Sequence, residues 1–271
     1  MKYISQVNAL YPKLSKSEKK IADYIRVTGI DIIYKTLQEV SEEVNVGEAT
    51  VLRFCRKIGY DGFQNLKLEI AKENSFTPEQ KSDEDFTAKI AKNMCDAINE
   101  TRNVVSKAEI DKAITMIRNA KKVFLCGSGT SGDVAKETQM QLLRYGKVCH
   151  YSSDPHFQLI SCSLAEPEDL IIAYTLSGST IDTIDCLREG QKNGTKIIVV
   201  TNYILSAAAS YADCILLTCA KESPLEGGSF AARASQQYIS DILVTGYAMN
   251  NEEAIRNKQI TAEAAVVKSL Q

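Results

Sequence analysis

Two short stretches of this chain place hydroxyl side chains between glycines, where they could grip an anion. Residues 126–136 read CGSGTSGDVAK. Gly127, Gly129 and Gly132 form a G-x-G-x-x-G pattern, with Ser128, Thr130 and Ser131 in its gaps. Residues 176–180 read LSGST, contributing Ser177, Ser179 and Thr180. Each stretch follows an apolar run, VFLC or LIIAYT, and leads into a helix-length segment. A helix start offers free backbone N–H groups and the positive end of the helix dipole, and short hydroxyls add donors beside them. Together the two loops suit a dianionic phosphate. Hydrogen bonds to a charged group contribute ~1.5–3 kcal/mol each, so three or four support micromolar binding after association costs.

The glycine pattern alone fits a dinucleotide equally well, given an acidic residue about twenty positions further on. Asp154 stands near that place. However, a dinucleotide leaves the second loop without a role, and β-branched Thr130 would crowd a pyrophosphate. Either loop alone also reads as an ordinary strand-to-helix turn with Ser/Thr caps. Two such loops in one sheet tip the balance toward a ligand.

The elements needed to position these loops are legible in outline. Apolar runs at Val123–Cys126, Val148–Tyr151, Leu170–Thr175, Ile197–Thr201 and Ile215–Thr218 alternate with helix-length stretches. This alternation predicts a doubly wound, mainly parallel five-stranded α/β sheet with helices on both faces. Its ligand belongs beyond the C-terminal ends of the strands, where both loops lie. An all-α head precedes the sheet. Ser15-Lys-Ser-Glu18 and Thr36-Leu-Gln-Glu39 are capping boxes, each followed by apolar residues at helical spacing. After the turn NVGE, a helix from about Ala49 to Ile58 turns Val51, Cys55 and Ile58 inward. Phe63, Leu66 and Ile70 suggest one more. Residues 72–86 are polar, with Pro78 and an acidic cluster. The expected division is therefore a head over 1–75, a linker over 76–89, a sheet domain over 90–250 and a C-terminal helix over 251–271. The apolar positions of that last helix are Ile255, Ile260, Ala264 and Val267.

The segments GSGTSGDVAKETQMQLLRYG, YSSDPHFQL, DLIIAYTLSGSTIDTI, the TN of VVTN and ADCILLT resemble, in that order, the sugar isomerase (SIS) domain of RpiR/MurR-type transcriptional regulators. The stretch LQEVSEEVNVGEATVLRFCRKIGYDGFQNLK resembles that family's N-terminal helix-turn-helix. The resemblance implies a cytoplasmic regulator that senses a phosphorylated sugar. By matching position, Ser128, Ser131, Ser177, Ser179 and Thr180 would hold the phosphate, and His156, within Asp154-Pro155-His156, would reach the sugar. Glu137 and Arg233 are further candidates for hydroxyl or phosphate contacts. Gly47 stands where the family often has a capping Ser, a departure that costs a few tenths of a kcal/mol.

In a helix-turn-helix the second helix enters the major groove. Spacing puts Thr50, Arg53 and Lys57 on the outer face of that helix, with Arg56 at the flank and Glu48 at the start. Arg can bind guanine through two hydrogen bonds, and Lys can anchor phosphate. On spacing alone a solvated, incidentally charged face explains them as well; the family resemblance favours DNA. Residues 1–75 carry twelve Lys/Arg against ten Asp/Glu. So weak a positive balance calls for a homodimer or homotetramer on a double-stranded operator, read as an inverted repeat.

Nothing in the residue pattern demands catalysis. Glu137, Glu222, Glu226 and His156 are the available bases, and nothing pairs them. The expectation is no enzyme and no cofactor. An isomerase carrying a DNA-binding head and an NAD(H)-sensing regulator are the alternatives. The formal net charge is −2, and no apolar run approaches the ~20 residues of a membrane span. The eight cysteines include no C-x-x-C and mostly sit in apolar runs, as in a reduced cytoplasmic protein. His150 and His156 lie near no paired cysteines, so no metal site is expected.

Overall fold

The computed structural model describes residues 2–75, 86–220 and 229–269. They form two units, one ending at Lys89 and the other running from Ile90 to Ala220 and from Phe230 onward.

The first unit is helical: α1 (Lys2–Leu10), α2 (Lys16–Thr28), α3 (Leu37–Val44), α4 (Glu48–Lys57) and α5 (Phe63–Ser75). Both capping boxes form. The Ser15 and Thr36 hydroxyls accept from the Glu18 and Glu39 N–H groups, and each Glu carboxylate accepts the N–H of its capping residue. These bonds start α2 and α3 at the residues the spacing indicated, and such caps contribute about 1 kcal/mol each. Helix α3 stops at Asn45, whose left-handed backbone (φ 55°) turns the chain toward α4. Tyr3, Val7, Ile21, Ile25, Ile32, Val40, Phe54, Leu66 and Ile70 close the core. Helix α1, unannounced by any cap, supplies two of these residues. Lys67 is also buried, and its ammonium donates to the Lys35 carbonyl at 3.0 Å. Burial pushes its pKa down to about 8.

In chain order, the remaining elements are α6 (Phe86–Val104), α7 (Lys107–Asn119), β1 (Val123–Cys126), α8 (Thr130–Arg144), β2 (Cys149–His150), α9 (Pro155–Ser163), β3 (Leu170–Tyr174), α10 (Ile181–Lys192), β4 (Lys196–Thr201), β5 (Cys214–Leu217), α11 (Phe230–Ala248) and α12 (Glu252–Ser269). All strand pairs are parallel, in the order β2-β1-β3-β4-β5. Successive residues feed opposite faces. Val123, Leu125, Ile172, Tyr174, Ile198 and Val200 pack with Ile117, Leu142, Ile239 and Leu243 of α7, α8 and α11. Phe124, Cys126, Ile171, Ala173, Ile197 and Val199 pack with Cys162, Cys186 and Leu187 of α9 and α10. Both faces are covered, which is why β1 and β3 are wholly buried apolar runs.

Three expectations need adjustment. Residues 86–89, assigned to the linker by composition, are the first turn of α6; residues 76–85 lie outside the described residues. The run Val148–Tyr151 yields only a two-residue edge strand. In α12 the buried apolar residue is Ala254, while Ile255, Ile260 and Ala264 are exposed; the Val267 side chain lies outside the described residues. Among the described residues no helix is long and apolar enough to cross a membrane.

Candidate functional site

In this strand order the chain moves from β1 outward to β2, then returns to the other side of β1 to lay down β3. The crossovers therefore diverge between β1 and β3, and a crevice opens there at the C-terminal strand ends. β1 and β3 are hydrogen-bonded neighbours, with Cys126 opposite Ala173. The two hydroxyl-rich loops leave these two strands, so the topology sets them side by side.

The first loop runs from Gly127 to Gly129, which precedes α8 with a positive φ of 57° and no side-chain cap. The Gly132 and Asp133 N–H groups donate to the Ser128 and Gly129 carbonyls, and no side chain caps the N–H groups before them. The Ser128 hydroxyl is buried and has no hydrogen-bond partner. A hydroxyl in that state costs about 1–3 kcal/mol unless something pairs with it. Ser131 is turned elsewhere: its hydroxyl donates to Gln236 Oε1 of α11 at 3.1 Å.

The second loop is held tightly. Gly178 has φ 64°, and a Cβ there would lie 2.1 Å from the Ser206 hydroxyl. Its N–H donates to the Thr175 hydroxyl at 3.2 Å. The Ser177 and Ser179 hydroxyls are 2.9 Å apart, and the Ser179 N–H also donates to Ser177 Oγ. Thr180 precedes α10, and its side chain makes no capping bond. Two helix N-termini and three hydroxyl groups, those of Ser128, Ser177 and Ser179, thus belong to adjacent strand ends.

Sequence reasoning missed Gln158. This buried amide accepts from the Gly127 N–H at 3.0 Å and donates to the Gly127 carbonyl at 3.0 Å and the Ser152 carbonyl at 2.7 Å. It clamps the first loop to the chain entering α9. The start of α9 was readable: Pro155 opens it, and Asp154 caps it by accepting the His156 N–H at 2.8 Å. Asp154, the candidate ribose acceptor of the dinucleotide reading, is engaged in that cap. His156 is exposed on the first turn of α9, its ring edge-on to Phe157. Glu137 is half-buried on α8, and Arg233 is half-buried on α11, one turn before Gln236. Glu222 and Glu226 lie outside the described residues.

Beneath the loops, the sulfur atoms of Cys126, Cys162 and Cys186 lie within 4.8 Å of one another, all buried. No spacing in the sequence points to this cluster.

In the first unit, α3, the Asn45 turn and α4 make a helix-turn-helix. Val51, Phe54 and Cys55 are buried, and Glu48, Arg53, Arg56 and Lys57 are exposed, with Thr50 half-buried. Arg53 donates to the Thr50 hydroxyl at 3.3 Å. Lys57 points back into its own unit, donating to Glu18 at 2.8 Å and to the Lys13 carbonyl at 3.2 Å. That ammonium, together with the capping bonds of Ser15, lowers the pKa of the Glu18 carboxyl. Burial pushes the Cys55 thiol up to about 12, so it is a packing group rather than a nucleophile.

Two family models match the chain: the helix-turn-helix domain of the rpiR family over residues 1–77 and the SIS domain over residues 116–245. An HTH-type transcriptional regulator of Clostridium perfringens is 31% identical over 94% of this chain and 95% of its own length. The HTH-type transcriptional regulator RpiR of Escherichia coli is 28% identical, covering 92% and 87%. Among solved structures, the Vibrio vulnificus NanR protein complexed with ManNAc-6P superposes with a TM-score of 0.91 at 26% identity over 99% of both chains.

Proposed function

Since the chain belongs to the RpiR family of helix-turn-helix transcriptional regulators, we propose that it binds an operator through α4 and that a phosphorylated sugar, held between the loops after β1 and β3, sets the operator affinity. The observation that carries this reading is the pair of serine-rich helix starts at the β1/β3 divergence, with the Ser128 hydroxyl buried and unpartnered. The similarity to NanR, solved with ManNAc-6P, supports the ligand class.

In this reading the N–H groups opening α8 and α10 and the hydroxyls of Ser128, Ser177, Ser179 and Thr180 receive the phosphate. Ser131 acts through its bond to Gln236, tying α8 to α11. His156, Glu137 and Arg233 face the sugar or the rim of the phosphate. On α4, Arg53 reads a base edge, Arg56 and Thr50 contact the backbone, Glu48 sits at the helix start, and Lys57 fixes the helix against α2. A cytoplasmic homodimer or homotetramer would present two heads to an inverted repeat.

The protein senses its ligand without turning it over. The similarity to chains named HTH-type transcriptional regulators supports this part of the reading. A coupling of ~1–3 kcal/mol between the two sites would change operator affinity about 5- to 150-fold. The test is a thermal-shift panel of hexose, pentose and amino-sugar phosphates with NAD(H), followed by operator titration with each stabilising compound. Stabilisation by a phosphate ester that also shifts operator affinity is expected. Stabilisation by NAD(H) alone, or interconversion of aldose and ketose phosphates, would overturn the reading.

A further inference from the structure

Cys126 is the last residue of β1, Cys162 lies near the end of α9, and Cys186 lies in α10. Their sulfurs share one point of the core, within 4.8 Å of one another. The surrounding cluster is apolar: Phe124, Ala165, Ile171, Ala173, Leu187 and Val199. From this geometry we infer that the three cysteines form a binding site for a single soft d10 cation, Cu(I).

Three sulfurs each about 2.3 Å from a central metal in a trigonal plane stand about 4 Å apart, so the observed cluster needs to contract only slightly. The identity of the ion follows from the donors. Zinc in a closed site takes four ligands, whereas the cluster gathers three Cys, His, Asp or Glu ligands among the described residues. Thiolates suit Cu(I), zinc and Fe–S clusters; zinc and the clusters call for four ligands, which leaves Cu(I) for a set of three. The Thr183 hydroxyl, fully buried and unpartnered, lies one turn before Cys186 on the same helix face, where it can donate to a thiolate. Metal uptake sends one proton to solvent for each thiolate formed.

The site adjoins the ligand loops through the backbone. Cys126 precedes Gly127, Cys162 is one turn beyond Gln158, and α10 begins at the second loop. The metal reading does not depend on the sugar reading, and its test needs no sugar.

The test uses the reduced, full-length chain carrying Cys95→Ser and Cys219→Ser, which removes the two cysteines that are not buried. The chain is titrated anaerobically with Cu(I) against a Cu(I) chelator. One copper per chain, held against the chelator, with a three-sulfur shell in X-ray absorption, is expected. Adding Cys162→Ser or Cys186→Ser should weaken retention at least tenfold, while Cys149→Ser, buried outside the cluster, should leave it intact. Unchanged retention in the Cys186→Ser protein, a shell containing oxygen or nitrogen, or no copper held by the parent would overturn the inference. Should a serine variant fail to fold, by circular dichroism, the absorption spectrum of the parent decides.

Discussion

Gln158 offers the sharpest perturbation of the candidate site, because it touches no expected ligand atom yet holds the first loop. Gln158→Met keeps the length and bulk of the side chain and removes every polar atom. Three hydrogen bonds vanish: the Gly127 N–H loses its acceptor, and the Gly127 and Ser152 carbonyls lose their donor. Gly127 is buried, so its two backbone groups stay unpaired; Ser152 is half-buried, and its carbonyl can recover water. An unsatisfied buried group costs ~1–3 kcal/mol, which puts the total at about 2–6 kcal/mol. A domain typically has ~5–15 kcal/mol in all, so the loss should be plain in a urea unfolding curve. Phosphate-ester affinity should fall as well, because the loop ending at Gly129 is no longer held in place. Gln158→Glu should recover part of the stability at low pH, where the protonated carboxyl can again donate. Wild-type stability together with wild-type ester affinity in Gln158→Met would refute the clamp.

Four further outcomes are expected. Ser177→Ala with Ser179→Ala should remove two charge-assisted bonds of ~1.5–3 kcal/mol each, weakening ester binding by more than a hundredfold while operator binding persists in gel shifts. Arg53→Ala should cost ~1–3 kcal/mol in operator affinity and relax preference at one base pair, as read by competition binding; an unchanged footprint would remove Arg53 from the reading face. Lys67 introduces a pH dependence: its folded pKa of about 8 lies below the unfolded value of about 10.4. The cation therefore weakens the fold fully below pH 8, and stability returns as pH rises toward 10.4, by up to about 3 kcal/mol. Lys67→Met should flatten that rise relative to wild type in parallel unfolding curves at pH 7.5, 9 and 10.5. Lys57→Ala should cost less than about 1 kcal/mol of stability, because its ion pair with Glu18 is partly exposed.

What was legible in the chain was local. The capping boxes at Ser15 and Thr36 declare helix starts within four residues, and both form. The unbroken apolar runs of β1 and β3 declare strands buried on both faces, and the glycine–hydroxyl loops follow directly. What was hidden was non-local. Gln158 reaches back to Gly127, and Lys57 reaches across to Glu18, through contacts that no spacing encodes. Cys126, Cys162 and Cys186 look like scattered core residues until parallel strands and their helices gather them. Helix α1 escaped notice because Tyr3 and Val7 form too short a period to read. The exposed Ile255 and Ile260 show the converse, an apolar pattern whose buried member is the small Ala254.

The central claim is that the crevice between the loops after β1 and β3 receives a phosphate ester. The most direct measurement is a crystal structure of the chain with the ester selected by the thermal-shift panel. The phosphate should lie within hydrogen-bond reach of the N–H groups opening both α8 and α10, with the Ser128 hydroxyl newly paired. An ester bound anywhere else, or a crevice closed by its own side chains, would contradict it.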